Sequence, residues 1–126
     1  MESLSPNIFV NSMKETIQFY TVLGFTLIMT VPEGDQEEPD WAMMINHNVT
    51  FMFQTFKSLK NDLPEINRTN GGSLLFYIKV NEIRELFEKI HKHVTVIKEI
   101  EKTFYGATEF SIKDNNGYVL TFAEDE

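Results

Sequence analysis

The chain has 126 residues, eleven basic and nineteen acidic, for a net charge of −8; 42% of residues are apolar and 24% charged. That length supports one domain, the ordinary apolar content excludes global disorder, and the acidic balance speaks against nucleic acid, whose binders present a basic stripe. With no cysteine, disulfides, thiolate catalysis and cysteine-ligated zinc are excluded, which suits a cytoplasmic protein. No apolar run approaches the roughly 18 residues that span a membrane, and Met1–Phe9 lacks the basic start and apolar core of a signal peptide. No membrane partner is therefore expected.

Asn7-Ile8-Phe9-Val10 predicts a short strand, with Ile8 and Val10 on one face and Asn7 and Phe9 on the other. Asn11 or Ser12 can cap a following helix. Its apolar stripe is Met13, Ile17 and Tyr20, with Thr16 and Phe19 nearby. Leu23-Gly24 ends it, the glycine supplying a left-handed position. Phe25–Val31 predicts a strand, and Pro32–Asp40 (PEGDQEEPD) an acidic loop with no side chain to bury. Trp41–Asn46 and Val49–Thr55 predict a hairpin around His47-Asn48.

Phe56–Asn70 is polar, carries Pro64 and closes on Asn70-Gly71-Gly72, so it predicts a linker. Beyond it the pattern restarts. Leu74, Phe76, Ile78 and Val80 alternate with Leu75, Tyr77 and Lys79, a half-buried strand; Asn81 can cap a helix over Glu82–His91 with the stripe Ile83, Leu86, Phe87 and Ile90. Val94–Ile97 and Thr108–Lys113 predict strands, and Asp114-Asn115-Asn116-Gly117 is turn chemistry before a strand over Tyr118–Phe122. The halves repeat. Val10-Asn11 matches Val80-Asn81 at an offset of 70 residues, and Asn48–Phe53 falls on Gly117–Phe122 at an offset of 69. The expected architecture is α+β: one domain over 1–126, built of two tandem βαβββ units at 1–60 and 72–126 with a linker at 61–71.

Phe9-Val10-Asn11-Ser12-Met13, Phe19-Tyr20 and Leu23-Gly24-Phe25 resemble the "V-x-D … F-Y … L-G-F" opening of the glyoxalase / bleomycin-resistance / extradiol dioxygenase superfamily, the vicinal oxygen chelate fold. Tyr105-Gly106 … Glu109-Phe110-Ser111-Ile112-Lys113-Asp114-Asn115-Asn116-Gly117-Tyr118 is similar to its closing "W-G … E-F … D-P-D-G" segment. The resemblance implies curled sheets around a cleft with helices outside. Ile8, Val10, Phe51, Phe53, Leu74, Phe76, Ile78, Leu120 and Phe122 then pack under the helices. Ser5, Asn7, Phe9, Met52, Gln54, Leu75, Tyr77, Glu109, Ser111 and Thr121 face the cleft. Activity does not follow, because the superfamily hosts isomerases, dioxygenases, thiol transferases and drug-binding proteins.

Metal-dependent members carry His or Glu at four cleft positions, which here hold Ser5, Met52, Leu75 and Thr121. None is a ligand for a hard or borderline divalent ion. The resemblance thus implies a member without the metal site and without a cofactor. His91 and His93 fall at a helix end, where cations suit the dipole, and His47 in a tight turn. Asp114–Gly117 lacks the later Glu of a calcium loop. Asn48-Val49-Thr50 and Asn67-Arg68-Thr69 are sequons by pattern alone.

The catalytic residue is unknown; Glu109 is the weak candidate, a general base if burial raises its pKa, against a structural, hydrogen-bonded role. The ligand-binding set is Asn7, Phe9, Trp41, Met52, Gln54, Tyr77, Phe104, Tyr105, Glu109 and Ser111, several of which also read as core filling. Three functions fit: a non-catalytic protein that sequesters a small molecule, a metal-independent lyase or isomerase using Glu109, or an interaction module. The expected ligand is flat or aromatic and neutral or cationic, since a −8 field repels anions over about 8 Å at physiological salt. A homodimer is expected as well, because open curled sheets leave edges that pairing covers.

Overall fold

A computed structural model describes residues 1–34, 38–66 and 73–126. The second sequon, the Asn70–Gly72 turn and the middle of the acidic loop lie outside them. The chain divides into two compact units, Met1–Arg68 and Thr69–Glu126.

The first unit runs β1 (Asn7–Val10), α1 (Met13–Val22), β2 (Thr26–Val31), β3 (Trp41–Asn46), β4 (Val49–Thr55) and the single turn α2 (Phe56–Leu59). Its sheet has the order β1-β4-β3-β2, with β1 parallel to β4 and the other pairs antiparallel. Ser12 is the cap of α1: its backbone is extended and its Oγ accepts from Glu15 N–H at 3.2 Å. Gly24 turns the chain at φ +99°, where a Cβ would also come within 3.3 Å of Asn46 Nδ2. The face under α1 is aromatic. Tyr20 is fully buried, with ring centroids 5.4, 5.7 and 4.8 Å from Phe25, Phe51 and Phe53.

The second unit repeats the order: β5 (Leu75–Lys79), α3 (Ile83–Ile90) continued by a 3-10 turn at His91–His93, β6 (Thr95–Lys102), β7 (Ala107–Lys113) and β8 (Val119–Asp125). Its sheet order is β5-β8-β7-β6. Asn7 pairs with Met52 and Tyr77 with Thr121 across the parallel ladders, so first strands are related by 70 residues and last strands by 69, the offsets read from the sequence. Its core is mainly aliphatic around Phe110, with Ile83, Ile90, Ile112 and Leu120 fully buried.

Departures from expectation have local causes. Asn81 does not cap α3. Glu82 occupies that position at φ +56° without a side-chain cap, and the Glu124 carboxylate reaches over from β8 to accept from Glu82 N–H (2.8 Å) and Ile83 N–H (3.2 Å). Leu74 precedes β5 and is exposed instead of packing under the helix. The β6 strand continues through Lys102, beyond the apolar run that marked it, because both its faces are largely exposed and no alternation shows. In the linker, α2 forms because Thr55 Oγ1 accepts from Ser58 N–H (3.2 Å) and Leu59 is buried. In the acidic loop, Pro39 is buried and Glu38 accepts from Met13 N–H at the start of α1.

Candidate functional site

Strand alternation gives each sheet a face turned away from its helix, and these faces carry the candidate residues. In the first unit the ladder sets Phe9, Gln54, Trp41 and Val31 in one row and Asn7, Met52, Met43 and Met29 in the next. Asn7 Nδ2 donates to Gln54 Oε1 (3.0 Å), and Gln54 Nε2 donates to Ser58 Oγ (3.3 Å). The two amides are thereby held in place. Phe9 is buried, its ring 6.0 Å from that of Phe56. Trp41, Met43, Met52 and Gln54 are half-buried, a mostly apolar and sulfur-rich surface.

The same face of the second unit is polar. Its rows are Tyr77, Thr121, Ser111 and Lys98, then Lys79, Ala123, Glu109 and Glu101. Ser111 Oγ and Thr121 Oγ1 are hydrogen-bonded at 2.8 Å, and both residues are buried. Glu109 keeps only 7% of its surface exposed. Tyr77 and Tyr105 both donate their hydroxyls to the same carboxylate oxygen, Oε2, the second at 2.7 Å. Tyr77 comes from β5 two residues before its end; Tyr105 comes from the turn that joins β6 to β7 and closes at Gly106. The hydrogen bond to Glu109 is the main cause that pushes the Tyr77 phenol up to about 12, and it raises Tyr105 likewise, because ionising either would set an oxyanion against a carboxylate.

The structure thus brings Tyr77, Tyr105 and Glu109 into contact and places Ser111 one row away. It brings Asn7 and Gln54 together with Phe9, Trp41 and Met52 on the face of the other unit. Phe104 stands apart: it is 99% exposed, with an edge-on contact to Tyr105 at 5.0 Å. Two charged neighbours lie outside the residues that the sequence singles out. Lys79 lies 5.6 Å from the Tyr77 ring centroid and pairs with Asp125; the alternation Leu75, Tyr77, Lys79 signalled its face. Lys98 pairs with Glu101 at 2.8 Å, which raises its pKa; it lies in the part of β6 that no pattern marked.

Two of the three histidines have a local setting. His91 Nδ1 lies 3.0 Å from the Phe87 carbonyl and its ring stacks on Phe87, while His47 sits at φ +51° in the hairpin turn. Asp114 Oδ1 accepts from Asn116 and Tyr118 N–H at 2.8 Å, which makes this segment a side-chain-stapled turn. The four positions that the resemblance assigns to the superfamily's metal do not carry its usual donors. Ser5, Met52, Leu75 and Thr121 offer no imidazole or carboxylate, and among the described residues no group of three or more His, Asp or Glu is placed to hold an ion. Among the described residues, no helix is long and apolar enough to cross a membrane.

Comparison with known proteins agrees with this architecture. A hypothetical protein, SA1046 from S. aureus, superposes with a TM-score of 0.78 at 20% identity, covering 98% of this chain and 94% of that one. A bleomycin-binding protein complexed with bleomycin gives 0.69 at 14% identity over 100% of both chains. A bleomycin resistance determinant encoded on transposon Tn5 gives 0.71 at 14% identity, covering 100% and 99%. No curated protein sequence matches significantly. The model of one family matches residues 4–122, and the chain belongs to that family, the Glyoxalase/Bleomycin resistance protein/Dioxygenase superfamily.

Proposed function

We propose that this chain is a small-molecule binding protein of its superfamily, acting without a metal and holding a flat ligand that is neutral or cationic. The observation that carries the reading is the Glu109 carboxylate fixed by two tyrosine hydroxyls beside partly exposed aromatic rings, in a chain of net charge −8. Such rings stack on flat ligands and attract cations by roughly 0.5–2 kcal/mol each. Relatives of the same fold that bind or confer resistance to bleomycin support the class of function. A lyase or isomerase reading is weaker. Both hydroxyls converge on the oxygen of Glu109 that would otherwise take a proton, so abstraction would have to run through Oε1 alone.

The test is titration with matched cationic, neutral and anionic aromatic compounds, followed by calorimetry at low and moderate salt. Preference for cations that weakens with salt is expected, with loss of binding in the Tyr77→Ala, Tyr105→Ala double variant. Preference for anions, or undiminished binding in that variant, sinks the reading. Elemental analysis should find no stoichiometric divalent ion. The proposal includes a cytoplasmic homodimer. The outer strand β2 exposes Leu27, Ile28, Met29 and Val31 and carries no charge, and an unguarded edge of this kind recruits a second strand. Light scattering should give twice 14.7 kDa, reverting toward the monomer in Met29→Glu.

A further inference from the structure

The arrangement of hydrogen bonds around Glu109 is asymmetric. Both tyrosine hydroxyls donate to Oε2, and no donor among the described residues reaches Oε1. Among the described residues no buried side-chain oxygen lacks a partner, so Oε1 keeps some exposure to solvent even though its residue is largely buried. An oxygen in this position can take one more hydrogen-bond donor. The two lysines on the same sheet face do not fill the role. Lys79 is paired with Asp125 and Lys98 with Glu101, and each keeps its own carboxylate.

Resting on the binding reading above, we propose that Glu109 Oε1 is the acceptor for an N–H of a protonated amine or amidinium on the ligand, with Tyr77 and Tyr105 as positioning residues. The ligand class narrows accordingly. A charge-assisted bond to a carboxylate is short, about 2.7–2.9 Å, and a carboxylate recessed in the sheet and held at one oxygen is reached by a slender N–H group. A quaternary ammonium carries its charge inside a shell of methyl groups and has no hydrogen to give. A neutral alcohol can donate but gains no charge attraction, and an anion is repelled. The tyrosines matter because they hold the carboxyl plane: without them the side chain rotates and Oε1 loses its fixed aim.

The experiment uses four probes on one aromatic frame: 2-naphthylmethylamine, its N,N,N-trimethyl derivative, 2-naphthylmethanol and 2-naphthamidine, titrated by calorimetry into the full chain. The amine and amidine should bind roughly tenfold or more tighter than the alcohol and the quaternary salt, the ratio a charge-assisted hydrogen bond supports. That ratio should collapse toward one in Glu109→Gln and fall partway in Tyr77→Phe and in Tyr105→Phe. Failure takes distinguishable forms. If the alcohol binds but the amine is no tighter, or if the quaternary salt equals the amine, the role of Oε1 is overturned while the binding reading stands. A preference that survives Glu109→Gln overturns it too. If none of the four probes binds, the binding reading fails and this inference with it.

Discussion

The two units solve the same folding problem with different chemistry, and the contrast separates what the fold requires from what this chain adds. Both present a carboxylate to the first turn of their main helix at equivalent residues, Met13 and Ile83. In the first unit it is Glu38 from the loop before β3, in the second Glu124 from β8. An acceptor at a helix start is therefore general, since the first N–H groups have no partner inside the helix. The faces turned from the helices differ: where the first unit has Trp41, Met43 and Met52, the second has Glu109, Ser111 and Thr121 at the corresponding ladder positions. Their outer strands differ as well. β2 is uncharged, whereas β6 carries Lys98, Glu99, Glu101 and Lys102, charges that guard an edge against unwanted pairing.

The largest way to break the comparison is in the cores. The first unit concentrates its packing on Tyr20 and the four rings around it, whereas the second spreads it over aliphatic side chains. Tyr20→Ala should cost about 3–5 kcal/mol, more than Ile83→Ala, because a ring leaves the larger cavity. Urea midpoints of the two variants compare them directly, and a greater loss from Ile83→Ala would contradict the contrast. Next in size is the cap that the second unit borrows from its last strand. Glu124→Ala removes the acceptor for two N–H groups of α3 and should destabilise by about 1–2 kcal/mol. An unchanged midpoint would mean that water replaces the carboxylate without loss.

The repeat, the order of elements along the chain and the superfamily were legible because they rest on long-range periodicity: Val10 and Val80 precede equivalent helices, and the alternation Leu75, Tyr77, Lys79 needs no neighbour to be seen. Glu109, Tyr77 and Tyr105 were each identified as candidates from their strand faces and from the motif they resemble. Their convergence on one oxygen was not legible, because it joins residues 32 apart in sequence through a turn whose geometry no pattern encodes. Glu124 escaped for a related reason. Its role depends on the register of β8 beside β5, which carries a side chain to a helix start 41 residues earlier. Asn81 looked like the cap only because local preference is all that a sequence window contains.

The polar face sharpens the comparison through pH. A phenol whose folded pKa lies above its unfolded value contributes stability that is fully present below the unfolded value, near 10, and lost as pH rises through the folded one. For Tyr77 that window runs from the ordinary phenol value of 10.0 to about 12, and Tyr105 shifts in the same direction. Tyr77 and Tyr105 should therefore ionise late when each of these two rings is followed by NMR. Glu109→Gln should bring both back toward ordinary values, since the main cause of each shift is the bond to that carboxylate. Two late tyrosines that persist in the variant would place the cause elsewhere.

The smallest effect tests the difference between the two helix starts. Ser12 holds its cap position with extended backbone, φ −121°, and supplies its own oxygen to Glu15 N–H. Glu82 stands at the equivalent place at φ +56°, ψ +52°, and its side chain caps nothing. The left-handed region costs an L-residue roughly 1–2 kcal/mol because Cβ crowds the following carbonyl. Glycine avoids that crowding but loses about 0.5–1 kcal/mol through the greater freedom of its unfolded chain. The caps from Glu124 reach backbone N–H groups that glycine retains. Glu82→Gly should therefore stabilise the protein by about 0.5 kcal/mol, a small rise in the urea midpoint with unchanged slope. Ser12→Gly should lower it slightly, since there the side chain supplies a hydrogen bond and the backbone is unstrained. Opposite signs at equivalent positions would show that one helix start is held by its own side chain and the other by a carboxylate from across the sheet. Equal signs would mean that the two starts are energetically alike despite their different geometry.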